Sequence, residues 1–181
     1  MAGLFEETKG AAAGVPGNRT ELSTAGDYGS QALFPDMYKA FLEEFGKGRQ
    51  MVLSTSLKDH VTSRMMSIVQ REGIFYFQTD REMRKYVQLS GNPQVALCIE
   101  NIQIEGLCRQ IGNPMENRDF CILYEECFPG SFHRYSALEK ECLFAVTPSR
   151  IERWLYLDGK PFLEEMDMER QIYVRREYSC S

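Results

Sequence analysis

Between Gln50 and Gly112 the sequence divides into short apolar runs separated by turn formers, and this constrains the fold more than any other feature. Gln50–Ser56, the run around Arg64–Val69 and Ile74–Thr79 are separated by Lys58-Asp59-His60 and by Gln70-Arg71-Glu72-Gly73. After a predicted helix over 81–90, which turns Met83, Tyr86-Val87 and Ser90 inward and is broken by Asn92-Pro93, two more strands follow at Gln94–Glu100 and Ile102–Ile111. Strands joined by tight turns must pair antiparallel, whereas a βαβ fold needs a long crossover each time. Five such strands and a single helix therefore predict an antiparallel barrel or closed sheet.

Within the second strand, side chains alternate between faces. Arg64, Met66 and Ile68 share one face, and Met65, Ser67 and Val69 the other. Both faces are partly apolar, as in a strand covered on both sides. An arginine beside Met66 and Ile68 then needs an anionic partner, because a buried unpaired charge is costly. A protein carboxylate, a ligand phosphate, or simple snorkelling to the surface all satisfy this requirement. Further on, Thr79-Asp80-Arg81-Glu82 fits a capping box and predicts a helix start. Helix N-termini favour phosphate, and Arg84 and Lys85 lie one turn inside. Thr79 acting only as a cap, with Arg84 and Lys85 on a solvated face, is the plainer alternative.

These residues together resemble the pyridoxamine 5′-phosphate oxidase-like, FMN-binding split-barrel family. The resemblance is carried by Val52-Leu53-Ser54-Thr55, Ser63-Arg64-Met65-Met66, Gly73 to Asp80, Arg84-Lys85, Gln88-Leu89, Asn92 to Leu97 and Ile102 to Gly106. It spans about residues 35–175 and is strongest over 50–110. It implies a mainly β chain with flanking helices (α+β), an antiparallel Greek-key split β-barrel, in a homodimer with FMN at the subunit interface. It further implies that Arg64 and Lys85 hold the FMN phosphate, assisted by Arg84 and Thr79. Met65, Met66 and Ser67 would line the flavin ring and ribityl chain, with Phe77, Gln78 and Asn101 as further contacts. The family's basic Arg-Leu-His-type segment for the substrate phosphate is replaced here by Asp158-Gly159-Lys160-Pro161-Phe162-Leu163-Glu164-Glu165. This acidic run directs the resemblance toward the flavin-reductase-like branch and away from pyridoxamine phosphate. The implied function is an FMN-dependent oxidoreductase acting on a small molecule, with NADH or NADPH as candidate donors. A flavin sensor or store, or a haem-binding or haem-degrading relative, is the alternative. No residue stands out as a general acid or base, which suits chemistry carried by a cofactor.

The remaining features set limits. With 181 residues, 43% of them hydrophobic and 12% aromatic, the chain has enough apolar material for one core. A net charge of −5 argues against electrostatic nucleic-acid binding. No apolar run approaches a membrane span, and no secretory signal is visible, so a cytoplasmic protein is expected. The six cysteines (Cys98, Cys108, Cys121, Cys127, Cys142 and Cys180) lack the spacing of a zinc site, and His60 and His133 are the only histidines. Buried or reduced thiols and no metal are the expectation. Residues 1–30, with Ala11-Ala12-Ala13-Gly14-Val15-Pro16-Gly17, read as a flexible tail or partner-binding arm. Residues 31–181 read as one domain. Pro35 to Phe45 is predicted as a helix ended by Gly46 and Gly48. A second helical region opens at Asn113-Pro114 and ends at Phe128-Pro129-Gly130-Ser131, with His133-Arg134-Tyr135 in a polar loop. Cys142–Thr147 and Trp154–Leu157 are predicted strands around a helical turn at Pro148–Arg153. The hairpin turn Asp158-Gly159 and a charged edge strand at Arg170–Tyr178 complete the chain.

Overall fold

The structure is a computed structural model that describes residues 30–179, so residues 1–29 and Cys180, and the readings made on them, lie outside it. The first element is α1 (Phe34–Phe45), which buries Phe34, Phe41 and Phe45 at helical spacing. It ends where Gly46 adopts a φ of 75° and its N–H bonds to the Leu42 carbonyl at 3.1 Å. Then come β1 (Gly48–Leu57), β2 (His60–Arg71) and β3 (Ile74–Asp80), followed by α2 (Arg84–Gly91). β4 (Gln94–Ile99) and β5 (Ile102–Gly112) follow, then a 3₁₀ turn at Pro114–Glu116, α3 (Arg118–Cys127) and α4 (Pro129–Tyr135). β6 (Glu141–Leu157), β7 (Lys160–Asp167) and β8 (Ile172–Glu177) complete the chain.

The eight strands among the described residues pair antiparallel in the order β3-β2-β1-β4-β5-β6-β7-β8. β3 also pairs with β6, which closes the first six strands of that order into a barrel and leaves β7 and β8 as an extension. The predicted mainly β, antiparallel split-barrel architecture with flanking helices is what the chain forms. Closure removes two sheet edges that would otherwise offer unpaired backbone groups.

Two apolar clusters stabilise the wall from either side. Inside lie Met51, Leu53, Ile68, Phe75, Phe77, Leu97 and Ile104, all without solvent exposure. Phe77 stacks on Phe144 at 5.5 Å between ring centroids. Outside, Val69 and Leu143 meet Phe120 and Tyr124 of α3. Each large side chain so buried contributes roughly 1.5–3 kcal/mol. The two-sided apolar pattern read in β2 thus has its explanation: Ile68 faces the barrel interior, and Val69 faces α3.

Four local readings are corrected. First, Thr79 and Glu82 form no capping box. Thr79 is buried within β3, the helix starts at Arg84, and its N-cap, Met83, makes no side-chain bond. Asp80 Oδ1 instead accepts the Glu82 N–H at 2.7 Å, an Asx turn that holds the corner. Second, α2 turns Gln88 and Leu89 inward, while Met83 and Val87 are exposed. The helix covers the barrel end, where Thr55 and Thr62 need Gln88 as a hydrogen-bond partner. Third, Pro148–Arg153 is not helical but the middle of the long β6. Pro148 lacks an N–H, and it sits opposite Gly106 where the β5–β6 register shifts, so no ladder bond is lost. A Cβ at Gly106 would lie 2.5 Å from the Thr147 carbonyl oxygen, so this close backbone approach calls for glycine. Fourth, α3 ends at Cys127 just before Phe128-Pro129, as the sequence indicates, but Pro129 opens a further helix, and His133 and Arg134 lie in the last turn of α4 rather than in a loop.

Candidate functional site

Where β3 leaves the barrel wall, the corner into α2, the outer face of β2, the helices α3 and α4 and the first residue of β6 surround a cleft of about 360 Å³. Its walls are apolar but polarisable, with Met65, Met66, Met83, Tyr124, Tyr135 and Leu138. Polar groups enter from Ser67, Gln78, Thr79, Asp80, Lys85 and Glu141. This combination of apolar walls and few polar groups is usual for small-molecule sites. Gln78 is fixed in place, since its Oε1 accepts the Ser136 hydroxyl at 2.7 Å in the buried layer under α4.

Arg64 lies beside this cleft, under α2. Its Nη1 donates to the Leu53 carbonyl at 3.1 Å and to Thr55 Oγ1 at 2.7 Å. Its Nη2 donates to Thr62 Oγ1 and, at 3.2 Å, to Gln88 Oε1. All these acceptors are neutral, and no carboxylate lies within ion-pair distance among the described residues. The ion-pair explanation of Arg64 is therefore not what the structure shows. Burial, and then the neighbouring Arg84, lower the pKa of its guanidinium. Lys85 is likewise lowered, by burial first and then by Arg64, with Glu141 and Asp80 opposing. Lys85 and Arg84 also make no ion pair among the described residues. Arg64 and Lys85 thus repel each other at one helix start, and neither makes an ion pair among the described residues. Such an arrangement is unfavourable until an anion joins it.

Carboxylates meet on the other side of the cleft. Asp80 and Glu141 are direct cross-strand partners, so their side chains share one face. Asp80 is occupied with the Glu82 N–H, but the Glu141 carboxyl has no hydrogen bond or ion pair among the described residues. Burial, and then Asp80, push that carboxyl up to about 7 against the pull of Lys85. The reading that no acid or base stands out overlooked Glu141. The available signal was its position directly before the apolar run Cys142-Leu143-Phe144, where a charge is carried into a buried layer.

Of the residues singled out in the sequence, Met65, Met66, Ser67, Gln78, Thr79 and Lys85 come together around this one cleft. Arg84 points to the far side of α2, where it borders a second hollow of about 460 Å³ with Lys58, His60 and Val87. Phe77 does not reach the cleft, because its ring is in the barrel core. Asn101 lies near the opposite end of β6, where its Nδ2 donates to the Trp154 carbonyl at 2.5 Å. His133 Nε2 is 3.4 Å from Glu125 on the surface, and neither histidine lines the cleft. Among the described residues no cluster of three or more His, Cys, Asp or Glu is placed to hold a metal. The five described cysteines are free thiols, and burial pushes Cys108 up to about 12. No helix among the described residues is long and apolar enough to cross a membrane.

The acidic segment of β7 also finds its place. Glu164, only 1% exposed, accepts from Tyr173 Oη at 2.5 Å, from Arg175 Nε at 2.7 Å and from Arg153. Arg153 continues to Glu44 of α1, and Glu165 pairs with Arg150 and Arg176. Burial raises the Glu164 pKa, but the bonds from Tyr173 and Arg153 outweigh it and hold the carboxyl below its usual range.

No protein-family model and no curated protein matches the sequence. Solved structures do match. PhzG from Burkholderia lata 383, in complex with tetrahydrophenazine-1-carboxylic acid, superposes with a TM-score of 0.54 at 13% identity, over 82% of this chain and 96% of that one. A pyridoxamine 5′-phosphate oxidase-related, FMN-binding protein from Nostoc punctiforme PCC 73102 gives 0.53 at 14% identity, over 73% and 87%. General Stress Protein 26 from Bacillus anthracis str. Sterne gives 0.50 at 21% identity, over 66% and 92%. The chain therefore has the split-barrel fold of the pyridoxamine 5′-phosphate oxidase-like proteins.

Proposed function

We propose that the cleft binds FMN and that the protein is an FMN-dependent oxidoreductase acting on a small molecule. The observation that carries this reading is the pair of mutually repelling cations Arg64 and Lys85, of which Lys85 lines an apolar, methionine- and tyrosine-walled cleft and neither makes an ion pair among the described residues. A phosphate supplies the missing anion, and a flat ring suits the walls. A solved protein of the same fold is described as FMN-binding, which agrees. Bound FMN would supply the hydride and electron transfer. The chain would hold the phosphate with Arg64 and Lys85, and would bound the ring with Met65, Met66 and Ser67. Met65 and Met83, 58% and 52% exposed at the rim of the cleft, leave an apolar border that a second copy of the chain would cover, as expected for a homodimer with cofactor at the interface. Arg153 and Arg175 are both committed to Glu164 rather than free for a substrate phosphate, which supports a substrate other than pyridoxamine phosphate. The test is the visible spectrum of the protein with added FMN, followed by NADH or NADPH. A bound, two-band flavin spectrum that bleaches with a nicotinamide supports the oxidoreductase. Bound flavin that no nicotinamide reduces contradicts the nicotinamide-linked reading and favours a flavin store or sensor.

A further inference from the structure

Glu141 is 5% exposed, it lines the cleft, and its carboxyl has no partner among the described residues. The charged and titratable groups around it are accounted for. Asp80, across the strand pair on β3, is bound to the Glu82 N–H. Arg81 donates to Cys142 Sγ at 3.0 Å, and Lys140 pairs with Glu82. Lys85 approaches from α2, and Tyr124 and Tyr135 from α3 and α4. None of them forms a hydrogen bond or ion pair with the Glu141 carboxyl. No buried side-chain oxygen among the described residues lacks a hydrogen-bond partner, so the Glu141 carboxyl oxygens reach into the open cleft, where a ligand that fills it must take over their hydrogen bonds or leave them unsatisfied at a cost of about 1–3 kcal/mol.

We propose that Glu141 is a ligand-contacting residue whose carboxyl group pairs with the lactam or imide edge of a planar heterocycle held in the cleft. This rests on the flavin reading and specifies which edge of the ring the chain recognises. A carboxylic acid offers one O–H donor beside one C=O acceptor, and a lactam or imide edge offers the complementary N–H beside C=O. The ionised form loses the donor and sets a charged oxygen against the ring carbonyl. Asp80 on the same face, together with burial, disfavours that ionised form already in the free protein. A ring that excludes water from the cleft disfavours it further. Glutamine has the same donor-plus-acceptor pattern without a titration, so Glu141→Gln reproduces the acid and Glu141→Ala removes the contact.

The experiment is FMN binding to the full chain, followed by flavin fluorescence between pH 6 and 8, for the wild type, Glu141→Gln and Glu141→Ala. Comparing each variant with the wild type at the same pH cancels the titration of the FMN phosphate itself. The expected result is a wild-type Kd equal to that of Glu141→Gln at pH 6 and about tenfold weaker at pH 8, one decade per pH unit above the transition. Glu141→Ala should be roughly fivefold or more weaker than Glu141→Gln at both pH values. A wild-type to Gln ratio that does not change with pH, or an alanine variant that binds as well as the glutamine one, overturns the proposal and leaves the flavin reading intact. No FMN uptake by the wild type overturns both.

Discussion

The two ends of β6 treat charge in opposite ways. At Arg153, a buried guanidinium meets a buried carboxylate, Glu164, and the remaining acceptor sites are filled by Tyr173 and Arg175. At Glu141 a carboxyl faces the cleft with no hydrogen bond or ion pair among the described residues, and Arg64 nearby is bound only to neutral oxygens. Burying ions is costly, so a matched network has to be nearly complete before it is stable. The Arg153 end meets that condition within the described chain and serves to tie α1 and β8 to β6. The Glu141 end instead turns its carboxyl into the open cleft, where a ligand can pair with it.

This contrast can be tested by breaking each end in turn. The largest effect is expected for Glu164→Ala, which removes the buried anion shared by Arg153 and Arg175 and leaves Arg153 only the exposed Glu44. It should lower stability by about 3–5 kcal/mol in urea unfolding, while FMN affinity of the folded fraction stays the same. Because the Glu164 carboxyl is held below its unfolded pKa, its contribution is present above that value and lost as pH falls through the folded one. The stability gap between wild type and Glu164→Ala should therefore narrow in acid. A gap that widens in acid would contradict the assignment.

Next in size is Arg64→Ala. It should weaken FMN binding by about 2–4 kcal/mol, the scale of a charge-assisted contact to a buried phosphate. Binding unaffected by this change would remove Arg64 from the site. Glu141→Gln has a smaller effect and an opposite sign on stability. Its folded pKa is raised to about 7, so wild-type stability is full below the unfolded value and falls as pH rises through 7. The variant without FMN should be more stable than wild type by roughly 1–3 kcal/mol at pH 8 and equal to it near pH 4. Equal stability at both pH values would show that Glu141 is not held against ionisation. The smallest effect is expected for Asn101→Ala, which loses the bond to the Trp154 carbonyl far from the cleft. Its FMN affinity should change by less than about 0.5 kcal/mol in a monomer. A larger loss that depends on protein concentration would place Asn101 at the site of a partner subunit.

Much of the barrel is legible in the sequence because its signals are local. Alternation along β1 and β2 and the turns at Lys58-Asp59 and Asp158-Gly159 act within a few residues, and the positive φ of Lys58, Asp59 and Asp158 confirms those turns. What is missed depends on distant partners. Pro148 reads as a strand breaker until Gly106 is seen opposite it. The Thr79–Glu82 pattern reads as a capping box until Asp80 is seen to take the Glu82 N–H. Six of the ten singled-out site residues border the cleft because β2, β3 and α2 are consecutive in the chain. Glu141 enters from a strand some 60 residues further on, brought in by the β3–β6 closure, and the local signal, a charge directly before the apolar run Cys142-Leu143-Phe144, does not tell what it faces.

The most direct test of the central claim is equilibrium FMN binding by the wild type beside Arg64→Ala and Lys85→Ala. The account predicts one FMN per chain, with affinity reduced roughly 30- to 800-fold by Arg64→Ala and clearly reduced by Lys85→Ala. A wild-type protein that takes up no FMN, or variants that bind it as tightly as the wild type, would contradict it.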